Sequence, residues 1–140
     1  MRIFLDANVL FSAAVEASAT RWLLSAASGY AGLVSSRHAW EEVRRNLQRK
    51  RPEHLPGLAS LQPLVRITNA HMPHLTEDLP SEDLPILAAA VASGCTHLWT
   101  GDRRHFGTWY GRQLRGLTVV SATMLADRLV EQGWNPEQGL

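Results

Sequence analysis

Short apolar runs alternate with stretches of helical period along most of this chain, and two of the runs end in an acid. Ile3-Phe4-Leu5 stops at Asp6, and His97-Leu98-Trp99-Thr100-Gly101 stops at Asp102. Both runs read as buried strands. A small-residue stretch from Asn8 to about Val15 reads as helix. Thr20 caps a second helix, Arg21 to Ser28, which Gly29 ends. Ala31 to Ser35 is the second strand. Ser36 caps a helix over Arg37 to Lys50, whose Trp40, Val43 and Leu47 recur at helical spacing and face the core; Pro52 marks its end. Leu55 to Leu64 is a short helix between Pro52 and Pro63. Val65 to Thr68 alternates as an edge strand does. Residues 69–80 read as a loop, and the next helix starts near Ser81 to Asp83, with Pro85 in its first turn, and runs to Gly94. Residues 103–116 are basic and aromatic with little regular period. Leu117 to Val120 is the last strand, and Ser121 caps a helix over Ala122 to Gln132.

Strands that alternate with helices in this way predict an α/β fold. The expected architecture is three-layer α/β/α around a mostly parallel five-stranded sheet. The 140 residues fit one domain, residues 1–140, with no repeat or linker. In such a sheet the crevice outside the strand carboxyl ends is the usual ligand site. Asp6 and Asp102 fall there, and Glu42 and Asp83 lie near the starts of helical segments. Carboxylates are hard oxygen donors suited to Mg²⁺ or Mn²⁺, ions that serve phosphoryl chemistry. Each acid also has a plain structural role open to it. Asp6 and Asp102 fit turn or cap positions, Asp83 fits a helix N-terminus, and Glu42 fits a surface pair with a neighbouring arginine.

Composition narrows the setting. Cys95 is the single cysteine, so no internal disulfide forms, and a cytoplasmic location is expected. The apolar start is broken at once by Asp6 and Asn8, and no stretch approaches the ~18 apolar residues of a membrane span, so no membrane partner is expected. The net charge of +1 says little, but 13 of the 14 basic residues are arginine, and they cluster. Arg44, Arg45, Arg49, Lys50 and Arg51 form one group; Arg103, Arg104, Arg112 and Arg115 form another just after Asp102. Arginine contacts phosphate bidentately, although a solvated surface is the plainer reading. His71 and His74 invite a zinc site, yet Pro73 prevents a helical pair and no cysteine is near. Trp22, Trp40 and Trp99 are expected to pack in the core.

Four segments, Leu5-Asp6-Ala7-Asn8-Val9-Leu10, Trp40-Glu41-Glu42-Val43-Arg44-Arg45-Asn46-Leu47, Glu82-Asp83-Leu84-Pro85-Ile86-Leu87-Ala88-Ala89-Ala90 and Leu98-Trp99-Thr100-Gly101-Asp102, together resemble the PIN-domain family of metal-dependent ribonucleases. Each is weak alone; four in the family's order, over about residues 1–130, are specific. The resemblance implies a sheet ordered 3-2-1-4-5, with the acidic site beside strands 1 and 4. It implies that Asp6, Glu42, Asp83 and Asp102 are catalytic, with Asp6, Asp83 and Asp102 on Mg²⁺ or Mn²⁺ and Asn8 and Thr100 supporting them. Glu41 and Glu42 are adjacent, and Glu42 is taken because the family places its glutamate directly before an aliphatic residue, here Val43. Many members carry a further acid two or three residues after the fourth; Arg104 and His105 stand there, which leaves the number of metals open.

The chain looks most like the VapC-type toxins of toxin–antitoxin pairs. That implies RNA as substrate, an antitoxin protein as partner, and a homodimer as a plausible state. Arg103, Arg104 and His105 are candidates for RNA contact beside Asp102, and Trp109 and Tyr110 for stacking on a base. The rival reading is a catalytically inactive PIN fold that binds RNA or protein. A phosphoacceptor receiver domain is disfavoured because the only lysine, Lys50, is not near a late strand. A haloacid-dehalogenase phosphatase would need a second acid where Asn8 stands.

Overall fold

In the computed structural model the chain is described over residues 1–70, 75 and 79–137. Six strands form one sheet in the order β3-β2-β1-β4-β6-β5. They are β1 (Arg2–Leu5), β2 (Gly32–Ser36), β3 (Arg66–Thr68), β4 (His97–Trp99), β5 (Gln113–Leu114) and β6 (Leu117–Val120). All pairs are parallel except β5 with β6. The five parallel strands keep the expected order. The sixth, β5, is an addition that the sequence did not announce, and its reason is the turn. Arg115 and Gly116 both take positive φ, 52° and 81°. That is the backbone of a two-residue hairpin, but it lacks the Asn-Gly or Asp-Gly pair that usually signals one.

The helices are α1 (Ala7–Ala13), α2 (Ala19–Ala27), α3 (Arg37–Lys50), α4 (Leu55–Ala59), α5 (Leu84–Ala92), α6 (Arg103–Phe106) and α7 (Ala122–Glu131). Local chemistry sets most of their starts. Ser36 Oγ accepts from Ala39 N at 3.0 Å, and Ser121 Oγ from Met124 N at 3.3 Å, as the capping pattern predicts. For α2 the cap is Ser18, not Thr20: its Oγ accepts from Arg21 N at 3.1 Å. Both hydroxyls offered the same chemistry, and the earlier one fills the extended backbone position before the helix. The expected helix from Leu55 to Leu64 shortens to α4 followed by turns. No helix among the described residues is long and apolar enough to cross a membrane.

The core lies on the sheet. Ile3, Phe4, Leu5, Leu98, Trp99, Val119 and Val120 are buried on the central strands, and Leu10, Leu24, Leu47, Leu87 and Phe106 cover them from the helices. Trp40 and Trp99 are buried as expected, but Trp22 is not a core residue. It is 38% exposed, and its ring lies 5.2 Å from that of Trp134. The helical spacing around Trp22 placed Leu23 and Leu24 inward and left the tryptophan at the rim. His71 and His74 lie outside the described residues.

One glycine is required by close approach. Gly57 of α4 lies against the end of α1, where an added Cβ would overlap the carbonyl oxygen of Ala14. Arg21 ties the same corner, donating to Ala13 O and to Gly57 O. Gly57→Ala is therefore expected to lower stability by ~1–3 kcal/mol, the usual penalty for overpacking a tight contact, although alanine is the better helix former. Chemical denaturation of parent and variant checks the sign, and a stabilised variant would show that this contact is slack.

Candidate metal centre

The sheet changes winding direction between β1 and β4. The chain moves outward from β1 through β2 to β3, then crosses back to place β4 on the other side of β1. The carboxyl ends of β1 and β4 therefore flank the crevice where α/β sheets gather ligands. Register then decides which side chains meet. Leu5 is paired with Trp99, so Asp6 and Thr100 follow at the same level. Asp6 N donates to Trp99 O at 3.1 Å, and Thr100 Oγ1 donates to Asp6 Oδ2 at 2.8 Å.

Asp6 is only 5% exposed, and the chain surrounds it with donors. Ala7 N reaches Oδ1 at 2.7 Å, and Asn8 Nδ2 reaches Oδ2 at 3.1 Å. Asn8 Oδ1 accepts from Gly101 N at 2.8 Å, and Asp102 N donates to Thr100 Oγ1 at 3.1 Å. Asn8 and Thr100 thus tie the two strand ends to each other and to Asp6. Asp102 caps α6: its Oδ1 accepts from Arg104 N at 3.1 Å and His105 N at 3.2 Å. That leaves Asp102 Oδ2 facing inward. Asp83 precedes α5 and is 7% exposed, but its side chain makes no capping bond.

These groups share a cleft of about 450 Å³ with Glu42, Asn46 and Lys50, which α3 presents at successive turns, and with His105. Glu41 points elsewhere. It pairs with Arg44 at 2.7 Å and lines a larger, mainly apolar hollow of about 660 Å³ that holds none of the four carboxylates. Volume alone would choose that hollow; the convergence of buried polar groups chooses the smaller cleft. All four predicted acids line it. Asn8 lines it too, and Thr100 lies behind Asp6.

The candidates for RNA contact divide. Arg103 and Arg104 are exposed. His105 instead turns into the carboxylates. Its Nδ1 lies 2.8 Å from Asp83 Oδ2 and 2.9 Å from Asp102 Oδ2, and its Nε2 lies 3.6 Å from Glu82 Oε1. Short as the two Nδ1 approaches are, they lack hydrogen-bond alignment, and Asp83 Oδ2 and His105 Nδ1 remain buried atoms without a hydrogen-bond partner among the described residues. Sequence reasoning placed neither Glu82 nor His105 in this group. Their spacing from Asp83 and Asp102 was the available signal, since i−1 and i+3 neighbours share a helix end. Tyr110 donates its hydroxyl to Thr100 O at 2.8 Å, and Trp109 carries Arg112 over its ring at 5.0 Å. Both aromatics are therefore engaged within the chain.

The PIN-domain family model matches residues 2–104. This chain belongs to the PIN-domain family. Among solved structures, the PIN domain is similar to VapBC2 from Rickettsia felis, in a crystal structure with a DNA fragment from their promoter. The TM-score is 0.62 at 14% identity, over 86% of this chain and 98% of that one. At that identity the likeness is one of fold. No curated protein sequence matches the chain.

The electrostatics of this PIN domain bear on what the centre could hold. Burial raises the Asp6 carboxyl above its usual range; bonds from Thr100 and Ala7 oppose this, while Asp102 and Glu42 add to it. Burial also pushes Asp83 up to about 6; His105 opposes that shift, and Asp6, Asp102 and Glu82 reinforce it. Buried acids held above their normal range favour a proton or a cation. Glu82, Asp83 and His105 bring ligand atoms within 4.8 Å of one another and could hold a divalent ion, with Asp6, Glu42 and Asp102 lining the same cleft; Asp83 Oδ2, which makes no hydrogen bond among the described residues, is the atom best placed to take one.

The sign of the pH effect follows. Folding raises the Asp83 value above its unfolded one of about 3.9. The stability this brings is fully present below about pH 4 and is lost as pH rises through about 6. In EDTA, Asp83→Asn is expected to raise the thermal midpoint at neutral pH, with a gain that shrinks towards about pH 4. A gain that stays constant across the range would show that the buried charge of Asp83 is not the source.

Proposed function

We propose that this PIN domain is a Mg²⁺- or Mn²⁺-dependent ribonuclease, and that it acts as the toxin of a toxin–antitoxin pair. The observation that carries the nuclease reading is the convergence of Asp6, Glu42, Asp83 and Asp102 on one cleft at the winding reversal of the sheet, with one buried carboxylate oxygen that makes no hydrogen bond among the described residues. Family membership supports the reaction class. The likeness to VapBC2, a toxin–antitoxin complex, supports an antitoxin protein as partner.

Asp6, Asp83 and Asp102 would hold the ion, which when bound would supply Lewis acidity for activating water and for offsetting charge on the phosphate oxygens. Glu42 faces the same space from α3, where its carboxylate orients the attacking water and takes up a proton. Asn8 and Thr100 fix the Asp6 carboxylate by bonds of 3.1 and 2.8 Å, so its oxygens do not swing when substrate enters. The exposed Arg103 and Arg104, at the rim beside Asp102, meet the RNA backbone.

Labelled single-stranded and structured RNA, incubated with protein in Mn²⁺, in Mg²⁺ and in EDTA, tests this directly. Cleavage is expected with either ion and not in EDTA. Asp6→Asn is expected to slow it by on the order of a hundred-fold or more, because several kcal/mol of charge stabilisation is lost. Thr100→Val, which removes only a support, is expected to slow it by ~10–100-fold. RNA that is bound under every condition but never cut, with Asp6→Asn binding as well as the parent, would overturn the nuclease reading in favour of a binding module.

A further inference from the structure

His105 lies on the four-residue helix α6, and the fold turns its ring towards the carboxylates of Asp83 and Asp102. Three observations bear on its role. First, Nδ1 lies 2.8 and 2.9 Å from one oxygen each of Asp83 and Asp102. Neighbouring ligands on an octahedral ion with bonds of about 2.0–2.1 Å are about 2.9 Å apart; on tetrahedral zinc they are about 3.3 Å apart. Second, neither approach is aligned as a hydrogen bond, and among the described residues the buried Nδ1 and Asp83 Oδ2 have ion-pair contacts but no hydrogen bond. A plain ion pair would point Nδ1–H at one of the two oxygens. Third, the opposite nitrogen, Nε2, faces the exposed carboxylate of Glu82 at 3.6 Å, an ion-pair separation longer than a hydrogen bond. A histidine that binds a metal through one nitrogen commonly sets the other against a carboxylate, which fixes its tautomer and strengthens it as a donor.

The local sequence enforces this geometry. Asp102 Oδ1 takes the backbone N–H of His105, so the residue that begins α6 also anchors the ring three positions on. Phe106, fully buried beside it, holds the short helix on the core.

We propose that His105 is a direct nitrogen ligand, through Nδ1, of the same cation that Asp83 and Asp102 hold, and that it makes the centre prefer Mn²⁺ to Mg²⁺. The inference rests on the metal-dependent reading above. Replacing an anionic oxygen with a neutral imidazole nitrogen lowers the negative charge of the ligand set and makes it softer. Mg²⁺ binds hard oxygen ligands and keeps its waters, whereas affinity for imidazole rises along the transition series. Glu82 is then the carboxylate behind the ring.

Calorimetric titration of the whole protein with Mn²⁺ and with Mg²⁺, and pulsed electron paramagnetic resonance of the Mn²⁺ form, test this without any activity assay. The parent is expected to show nitrogen coupling to Mn²⁺ and tighter binding of Mn²⁺ than of Mg²⁺. His105→Ala is expected to lose the coupling and to bind Mn²⁺ at least ~10-fold more weakly, with a smaller loss for Mg²⁺. Glu82→Gln keeps the coupling and weakens Mn²⁺ binding. The parent's spectrum decides the point even if a variant folds poorly. Mn²⁺ bound without nitrogen coupling would overturn the role of His105 and leave the nuclease reading standing. A parent that binds neither ion would overturn both.

Discussion

Everything at this centre depends on negative charge held inside the protein. The pairing of Leu5 with Trp99 sets Asp6 beside Thr100 and brings the end of β4, with Asp102, next to the end of β1. Asp83 then closes the group from the start of α5 and Glu42 faces it from α3. Burial and mutual repulsion both raise the Asp6 and Asp83 carboxyls. The fold tolerates this because hydrophobic burial on the central strands holds the backbone in place whatever the acids prefer. That tension is what a bound cation could relieve, and it is the physical ground of the metal-dependent reading proposed above.

The supporting bonds show how that tension is kept from distorting the strand ends. Asn8 bridges Asp6 and Gly101, and Thr100 bridges Asp6 and the Asp102 backbone. Both are short, uncharged side chains that donate to a carboxylate without neutralising it. They orient Asp6 while leaving its charge for a ligand. A lysine or arginine there would pair with the acid and remove the demand for metal. Lys50, at the end of α3, lines the cleft with the acids, and Arg103 and Arg104, which follow Asp102 on α6, are exposed. An acidic cleft with basic residues beside it is the charge pattern on which the proposed RNA substrate rests.

The same geometry explains why the larger hollow is the less informative one. Its lining is mainly apolar, and the acid it holds, Glu41, is already satisfied by Arg44. Adjacent positions on α3 thus have opposite fates. A helix turns by about 100° per residue, which sends Glu42 to the cleft and Glu41 to a surface pair.

Much of the fold was legible in the sequence because its signals are local. Apolar runs ending in Asp6 and Asp102, the Ser36 and Ser121 caps, and the period of Trp40, Val43 and Leu47 each report the chain's immediate neighbourhood. Alternation of strands and helices, with the order of four acidic segments, was enough to predict a parallel α/β sheet and the neighbourhood of its acidic cleft. Local signals failed where two options were chemically alike or where the usual marker was missing. Ser18 was chosen over Thr20, and the Arg115–Gly116 turn made β5 without the common turn residues. What only the tertiary structure decided is the inside of the centre. That Trp22 lies at the rim against Trp134, and that His105 turns inward towards Asp83 while Arg103 and Arg104 stay outside, depends on contacts between segments far apart in the chain. A side chain's direction at the end of a four-residue helix is set by what packs around it, and no pattern along the sequence records that.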